Sequence, residues 1–487
     1  MRRTTTLTAA TATGALGLSL LASGLAPSAS AAAETCRGET ATIVGTGASV
    51  TGTEGRDVIV TARAGVVDAL GGDDLICVAV TQTNSNVLVV SAGSGDDVVD
   101  TTATPQAHYV STELGTGADT LIGGGIGDTV YAGQRGEPGV DTERDTIDTG
   151  AGDDAVFTGT PGTTNSDVVR LGAGVDTVYL RGAALGSDAV VDGGGERDFL
   201  RLDAGDGDLS VDMTLGTLTT SAGTATFTSF ESASLRVGTG TVDYRGTNGA
   251  DLLDISPQGG TPVLRVATGD GDDAVRVAPT RFAAGSRFDT GAGDDSLVAA
   301  SRVGRLAVDL PDDRLTVSRA AVPATGLENV WLMAPTVAMV GDGVDNRLTW
   351  SGCDATLRGG AGDDSLRWAY DSVFESYEFD CAGDVAISGG GGRDDLRGAG
   401  GDDRLTGGGG NDRIAGRGGA DVVRGGAGDD TMDGGEGRDD VRGGGGTDTL
   451  LGRAGADVLL GGGGRDRADG STGRDRCAAE RERRCER

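Results

Sequence analysis

The chain has 487 residues, 74 of them acidic against 41 basic, which gives a formal charge of −33; it has no lysine, one histidine, 89 glycines and 3% aromatic residues. That balance argues against nucleic acid and anionic membranes as partners. The single histidine, His108, excludes an HExxH zinc site and leaves a Ser-His-Asp triad resting on one residue.

Residues 1–33 read as an export signal peptide. Arg2 and Arg3 precede an apolar stretch around Leu16 to Leu25, and small residues follow at Ala29-Ser30-Ala31 and Ala31-Ala32-Ala33. The stretch is short and interrupted by Gly17, Ser19, Ser23 and Gly24, and no later run is apolar enough to span a bilayer. The expectation is a secreted, extracellular protein with no membrane span. All six cysteines lie beyond the signal, and an even number in an exported chain points to disulfides. Proximity favours Cys36 with Cys77, Cys353 with Cys381, and Cys477 with Cys485.

Residues 34–354 repeat a degenerate Gly/Asp turn, with aspartates at Asp57, Asp74, Asp97, Asp119, Asp154, Asp176, Asp198, Asp251, Asp273 and Asp295. The interval is 22 residues from Asp97 to Asp119, Asp154 to Asp176, Asp176 to Asp198, Asp251 to Asp273 and Asp273 to Asp295. A recurring 22 fits a long-rung parallel β-helix that keeps one Asp-bearing corner per coil. Between corners, Leu209 to Leu215 (LSVDMTL) alternates as a half-buried strand should, and Asn86–Val90 is a short strand-like run. Two stretches, FESASLRV from Phe230 and LENVWLMA from Leu327, are similar to each other, and after the second Asn346 stands where aspartate is expected. Residues 355–388, which contain a further turn at Asp364, form a transition with a disulfide-closed excursion.

Residues 389–478 are ten nine-residue units without insertion, each G-x-x-G-x-D-x-(apolar)-x. The sixth position is aspartate in all ten, from Asp394 to Asp475, and the eighth positions are Leu396, Leu405, Ile414, Val423, Met432, Val441, Leu450 and Leu459 before the pattern decays. A strand period of two turns the eighth side chain inward and the seventh and ninth outward. Glycines permit positive φ and leave carbonyls accessible, and aligned turns offer the oxygen ligands that calcium takes in sixes to eights. The block carries 17 acids against 13 arginines, a net of only −4. A full set of divalent ions would therefore leave it positive. Ala399, Arg417, Arg453 and Ser471 replace the second glycine of their units, and Cys477 takes the last apolar slot; these mark weak or empty sites. Residues 479–487 read as a charged C-terminal tail.

The block resembles the haemolysin-type, or RTX, calcium-binding nonapeptide. The family signature D-x-L-x4-G-x-D-x-L-x-G-G-x3-D is met at Asp394, Leu396, Gly401, Asp403, Leu405, Gly407, Gly408 and Asp412. The resemblance implies a parallel β-roll in which two nonads make one coil and each G-x-x-G-x-D stretch is a calcium-binding turn. It implies calcium ligands at Asp364, Asp394, Gly401, Asp403, Gly410, Asp412, Gly419, Asp421, Gly428, Asp430, Gly437, Asp439, Gly446, Asp448, Gly455, Asp457 and Asp466. The opening ATIVGTGASVTGTEGRDVIV is similar to the start of secreted actinobacterial-type calcium-binding proteins. The fold expected is all-β: a parallel β-solenoid, long-rung β-helix first and RTX β-roll after. At 22 residues per coil and then 18, its length is on the order of 100 Å.

No enzyme signature emerges. No G-x-S-x-G elbow occurs, and His108 lies beside Tyr109 in a strand-like QAHYVSTEL. The enzymatic alternative is a polysaccharide lyase or epimerase on the β-helix, using paired acids such as Asp153 and Asp154 or Asp294 and Asp295. The leading expectation is a non-enzymatic, calcium-binding repeat protein with a structural or surface-interaction role, in contact with cell-wall or extracellular polysaccharide.

Overall fold

A computed structural model describes residues 34–80, 87–104, 109–133, 141–159, 164–181, 186, 188–221, 223–278, 281–302, 304–369 and 383–486. The signal peptide, Asn86, His108 and the Cys353–Cys381 pairing therefore fall wholly or partly outside the described residues. Among those described there is no α-helix, and none long and apolar enough to cross a membrane.

The chain winds as a two-sheet parallel solenoid. Each ordinary coil lays one short strand in each of two facing sheets, and each strand pairs in parallel with its counterparts one coil before and after. Sheet I runs from Ser49–Thr51 to Arg481–Arg483, and sheet II from Ile43–Val44 to Arg476–Ala478. Register shows the two expected coil lengths: Thr177 pairs with Phe199 upstream, and Asp395 with Arg413 in the repeat block. The upstream region is thus the same two-strand roll with longer connections. Both sheets cross the transition unbroken, through Thr336–Val340, Asp354–Ala361 and Val385–Gly391 in sheet II and Ser365–Trp368 and Asp395–Arg397 in sheet I.

Alternation along each strand builds the core. Leu396, Leu405, Ile414, Val423, Met432, Val441, Leu450 and Leu459 are all buried between the sheets, as their eighth position requires, while the residues beside them face out. Upstream, Val156, Val178 and Leu200 of sheet I and Ile147, Val169 and Val191 of sheet II continue the same columns. Strands in the repeat block exceed the three residues of the nonad's end. Arg404–Gly409 and Arg413–Gly418, for example, run on into the glycines of the next unit.

Two coils depart from this plan. After Leu209–Asp212 the chain makes an antiparallel meander through Thr217–Thr220 and Gly223–Thr228 before returning to sheet I at Ser232–Val237. The meander recurs 97 positions later as Arg305–Asp309, Arg314–Val317 and Ala320–Thr325, followed by Asn329–Met333. The similarity of the stretches from Phe230 and Leu327 is the end of this duplicated unit. LSVDMTL is accordingly not one strand to Leu215. The strand ends at Asp212, and Leu215 is an exposed turn residue.

The ends of the stack are closed. At the start, Thr35–Cys36 and Glu39–Thr40 form a small antiparallel pair, tied to the core by the Cys36–Cys77 disulfide. At the other end, residues 479–486 close the stack. Arg481–Arg483 pairs with Arg467–Asp469 as a last strand of sheet I, Cys477 bonds Cys485, and Arg484 pairs with Asp469. Such closure protects the open edges of stacked strands.

Candidate calcium sites

Two turns complete each coil, and aspartates occupy them in rows. Along the edge that leads into sheet I, the backbone N–H of Asp394 donates to Oδ1 of Asp412 at 2.9 Å, Asp412 to Asp430 at 2.8 Å, Asp430 to Asp448 at 2.9 Å and Asp448 to Asp466 at 3.0 Å. Along the edge that leads into sheet II the same bond joins Asp403 to Asp421, Asp421 to Asp439, Asp439 to Asp457 and Asp457 to Asp475 at 2.8 to 3.1 Å. Each carboxylate therefore spends one oxygen holding the turn of the preceding coil. These two ladders contain every aspartate that the resemblance assigned in the block. Asp364 joins the first, donating to Asp394 at 2.9 Å and accepting from Asn346 at 2.8 Å.

The other oxygen is free for a ligand. Oδ2 of Asp364, Asp394, Asp412, Asp421, Asp430, Asp439, Asp448, Asp457 and Asp466 is buried without a hydrogen-bond partner, an expensive state unless something occupies it. Asp403 is the exception, because its Oδ2 accepts the Ala399 N–H at 2.7 Å. Around each open oxygen lies a cradle that only glycine leaves clear. A Cβ at Gly407 would meet Oδ2 of Asp412 and the Gly425 carbonyl, and one at Gly425 would meet Oδ2 of Asp430 and the Gly443 carbonyl. The assigned glycines Gly410, Gly419, Gly428, Gly437, Gly446 and Gly455 adopt positive φ, and a Cβ on each would strike the backbone of the corresponding glycine one coil back. Gly401 does not share the positive φ, but a Cβ there would meet the Gly383 carbonyl at 2.5 Å.

Electrostatics agree with the need for a cation. Burial pushes Asp421 up to about 7, with the Asp403 N–H pulling the other way and the Asp403 and Asp439 charges adding to the rise. Asp394, Asp430 and Asp439 are raised to about 6, again chiefly by desolvation. No cluster of three or more His, Cys, Asp or Glu side chains occurs among the described residues. An ion in these turns would be held by one carboxylate from each of successive coils together with glycine carbonyls, an all-oxygen set suited to calcium.

Upstream, the 22-residue interval hides a change of edge. Asp57, Asp74, Asp97, Asp119, Asp145 and Asp167 form a ladder leading into sheet II. Asp128, Asp154, Asp176 and Asp198 form another leading into sheet I, where Asp251, Asp273 and Asp295 continue it. A single corner row is thus corrected to two staggered rows. Asp128, Asp145 and Asp167 lack the full glycine frame, and sequence reading passed over them. It also missed Glu231, Glu328 and Glu480, whose carboxylates take the aspartate place for the N–H groups of Asp198, Asp295 and Asp466. The only signal for the first two was their shared position in the duplicated stretches.

Residues 141–160 and 354–367 and the overlapping stretches 382–405, 388–423, 406–441 and 442–477 match the RTX calcium-binding nonapeptide repeat in its four-copy form. These stretches carry RTX, haemolysin-type calcium-binding repeats, concentrated toward the C-terminus. No curated protein matches the chain.

Proposed function

We propose that the protein is an exported, non-enzymatic rod whose C-terminal block folds on calcium after leaving the cell and which contacts extracellular polysaccharide. The carrying observation is the row of buried, partnerless Oδ2 atoms, one per turn from Asp412 to Asp466. Bound calcium supplies positive charge and coordination for these oxygens. Binding to the folded state alone adds to folding free energy, and extracellular calcium modules work at ~10⁻⁴–10⁻³ M. The disulfides Cys36–Cys77 and Cys477–Cys485 fit an oxidising compartment.

The acid pairs considered for polysaccharide cleavage have turn duties. Asp154 and Asp295 are buried ladder members, Asp153 accepts the Val175 N–H at 3.0 Å, and Asp294 accepts Asn329 Nδ2 at 2.5 Å. The test is twofold. Calcium titration of the whole chain followed by circular dichroism should give a β-signal transition that chelator reverses. A screen against acidic polysaccharides should give no turnover; turnover lost on replacing an upstream acid pair, with calcium binding intact, would establish the enzyme instead.

A further inference from the structure

At each meander sheet II gains two strands that sheet I lacks. Sheet I steps directly from Phe199–Gly205 to Ser232–Val237 and from Ser296–Ala300 to Asn329–Met333, whereas sheet II interposes the meander strands between ordinary neighbours. With ~4.8 Å between strands, sheet II is lengthened by about 10 Å at each place. The roll must accommodate this by curving with sheet I on the inner side.

Both junctions on the outer face of sheet I open into a cavity. The first, about 300 Å³, is lined by Phe157, Tyr179, Arg181, Arg201 and Arg236, with Asp203. The second, about 430 Å³, is lined by Trp331, Asn329, Arg347 and Arg367, with Asp294. The composition is alike although the residues are not copies: an aromatic wall and an excess of guanidinium over carboxylate. Among the described residues none of these five arginines makes an ion pair with a carboxylate. Arg181 and Arg201 lie over the Phe157 and Tyr179 rings at 5.3 and 5.2 Å, and those rings are stacked at 4.1 Å. Nε of Arg367 is buried without a partner. A third cavity, about 660 Å³ on sheet II, has its Arg265 paired with Asp243 at 3.5 Å, while its Arg245 and Arg287 make no ion pair among the described residues.

Guanidiniums without a carboxylate partner, two of them over aromatic rings and Arg236 bonded only to Gln258 Oε1 at 3.4 Å, offer charge to an anionic ligand. The planar fork matches a carboxylate with two parallel hydrogen bonds, and Trp331 offers the apolar contact that a sugar ring takes. A nucleic acid, with one charge per ~1.7 Å of duplex, would meet strong repulsion from the rest of the molecule, whereas a uronate polymer is less densely charged. We propose that the outer face of sheet I binds an acidic polysaccharide of the uronate class, with one charged sugar seated at each cavity. The proposal rests on the polysaccharide-contacting reading above and locates that contact. Five strand steps separate Arg236 of the first cavity from Arg347 of the second, about 24 Å at ~4.8 Å each, so a monosaccharide fills one subsite and an oligomer bridges both.

Calorimetric titration of the calcium-loaded full chain with hexagalacturonate, galacturonate, the fully methyl-esterified hexamer and a duplex DNA dodecamer tests this. The free hexamer should bind on the order of 100-fold tighter than the monomer, and the ester and DNA should not bind measurably. The double variants Arg201→Gln/Arg236→Gln and Arg347→Gln/Arg367→Gln should each lower hexamer affinity to about that of the monomer, and the fourfold variant should abolish binding. Circular dichroism and the calcium midpoint should stay unchanged in all three. Hexamer binding that survives the fourfold variant, equal binding of the neutral ester, or stronger binding of DNA would overturn the proposal. Turnover of the hexamer that these variants abolish would support the subsites while overturning the non-enzymatic reading.

Discussion

Residue 399 decides whether one calcium turn is open. Three of the four residues that replace a second glycine keep its left-handed conformation, Arg417 at φ 85°, Arg453 at 75° and Ser471 at 68°. The Oδ2 atoms of Asp421, Asp457 and Asp475 accordingly stay partnerless. Ala399 does not adopt that conformation, and its N–H turns onto Asp403. Of the four glycine replacements expected to mark weak sites, Ala399 is the one whose turn gives the carboxylate's second oxygen a backbone N–H. Ala399→Gly should free the Asp403 oxygen and add one bound calcium per chain by calorimetry. Asp403→Ala should leave the calcium midpoint of the dichroism transition unmoved, while Asp412→Ala and Asp421→Ala should each move it to higher calcium. A separate effect belongs to Arg417, which has no ion pair among the described residues, unlike Arg453 with Asp433 at 2.7 Å. Relief of its left-handed strain, less the greater entropy of glycine in the unfolded chain, should make Arg417→Gly more stable by about 0.5–1 kcal/mol in calcium-saturated denaturant melts.

At the scale of the strand, the eighth-position column was legible because a period of two leaves one inward side chain per nonad. Leu450 is fully buried between its neighbours Met432 and Ala468. Leu450→Ala should cost about 2–5 kcal/mol with calcium present. The meanders were not legible for the same reason. Alternation from Leu209 or Leu306 looks identical whether the next strand stays in the same sheet or crosses to the other. On the calcium-coupled folding proposed above, a block with so few large apolar residues needs the ion to offset its ordering cost of ~1–2 kcal/mol per residue. Amide exchange of the full chain in chelator should therefore become fast across residues 389–478 and stay slow in the upstream columns around Val156, Val178 and Leu200. Protection of both regions in chelator would refute the coupling of folding to calcium.

At the scale of the whole molecule, the buried carboxylates set the response to pH. Burial raises Asp97 to about 7 and Asp119 and Asp154 to about 8 in the folded state, against ~3.9 for an unfolded aspartate. With folded values above unfolded ones, the proton favours folding. This contribution is fully present below about pH 4 and is lost as pH rises through 7 to 8. In metal-free buffer the melting temperature should fall between pH 5 and pH 9 by scanning calorimetry, and calcium should shrink the fall. A rise with pH would contradict the burial of these groups. Small-angle scattering with calcium should show an elongated particle on the order of 100 Å long, curved rather than straight; a compact globule would be inconsistent with the stack.

The sequence by itself determined the coil, the inward column and the aspartate turns, because nine-residue register ties turn, strand and side-chain direction to local backbone geometry. The tertiary structure alone decided which edge each upstream aspartate occupies and which carboxylates are already satisfied, since both depend on the N–H groups of a neighbouring coil or turn. It also decided the place of Arg481–Arg483, which complete a coil only because Arg467–Asp469 offers an open strand edge. The same holds for the arginine cavities. Arg201 and Arg236, or Arg347 and Arg367, come together on one face only because parallel pairing sets successive coils side by side, and sequence spacing carries no record of that neighbour.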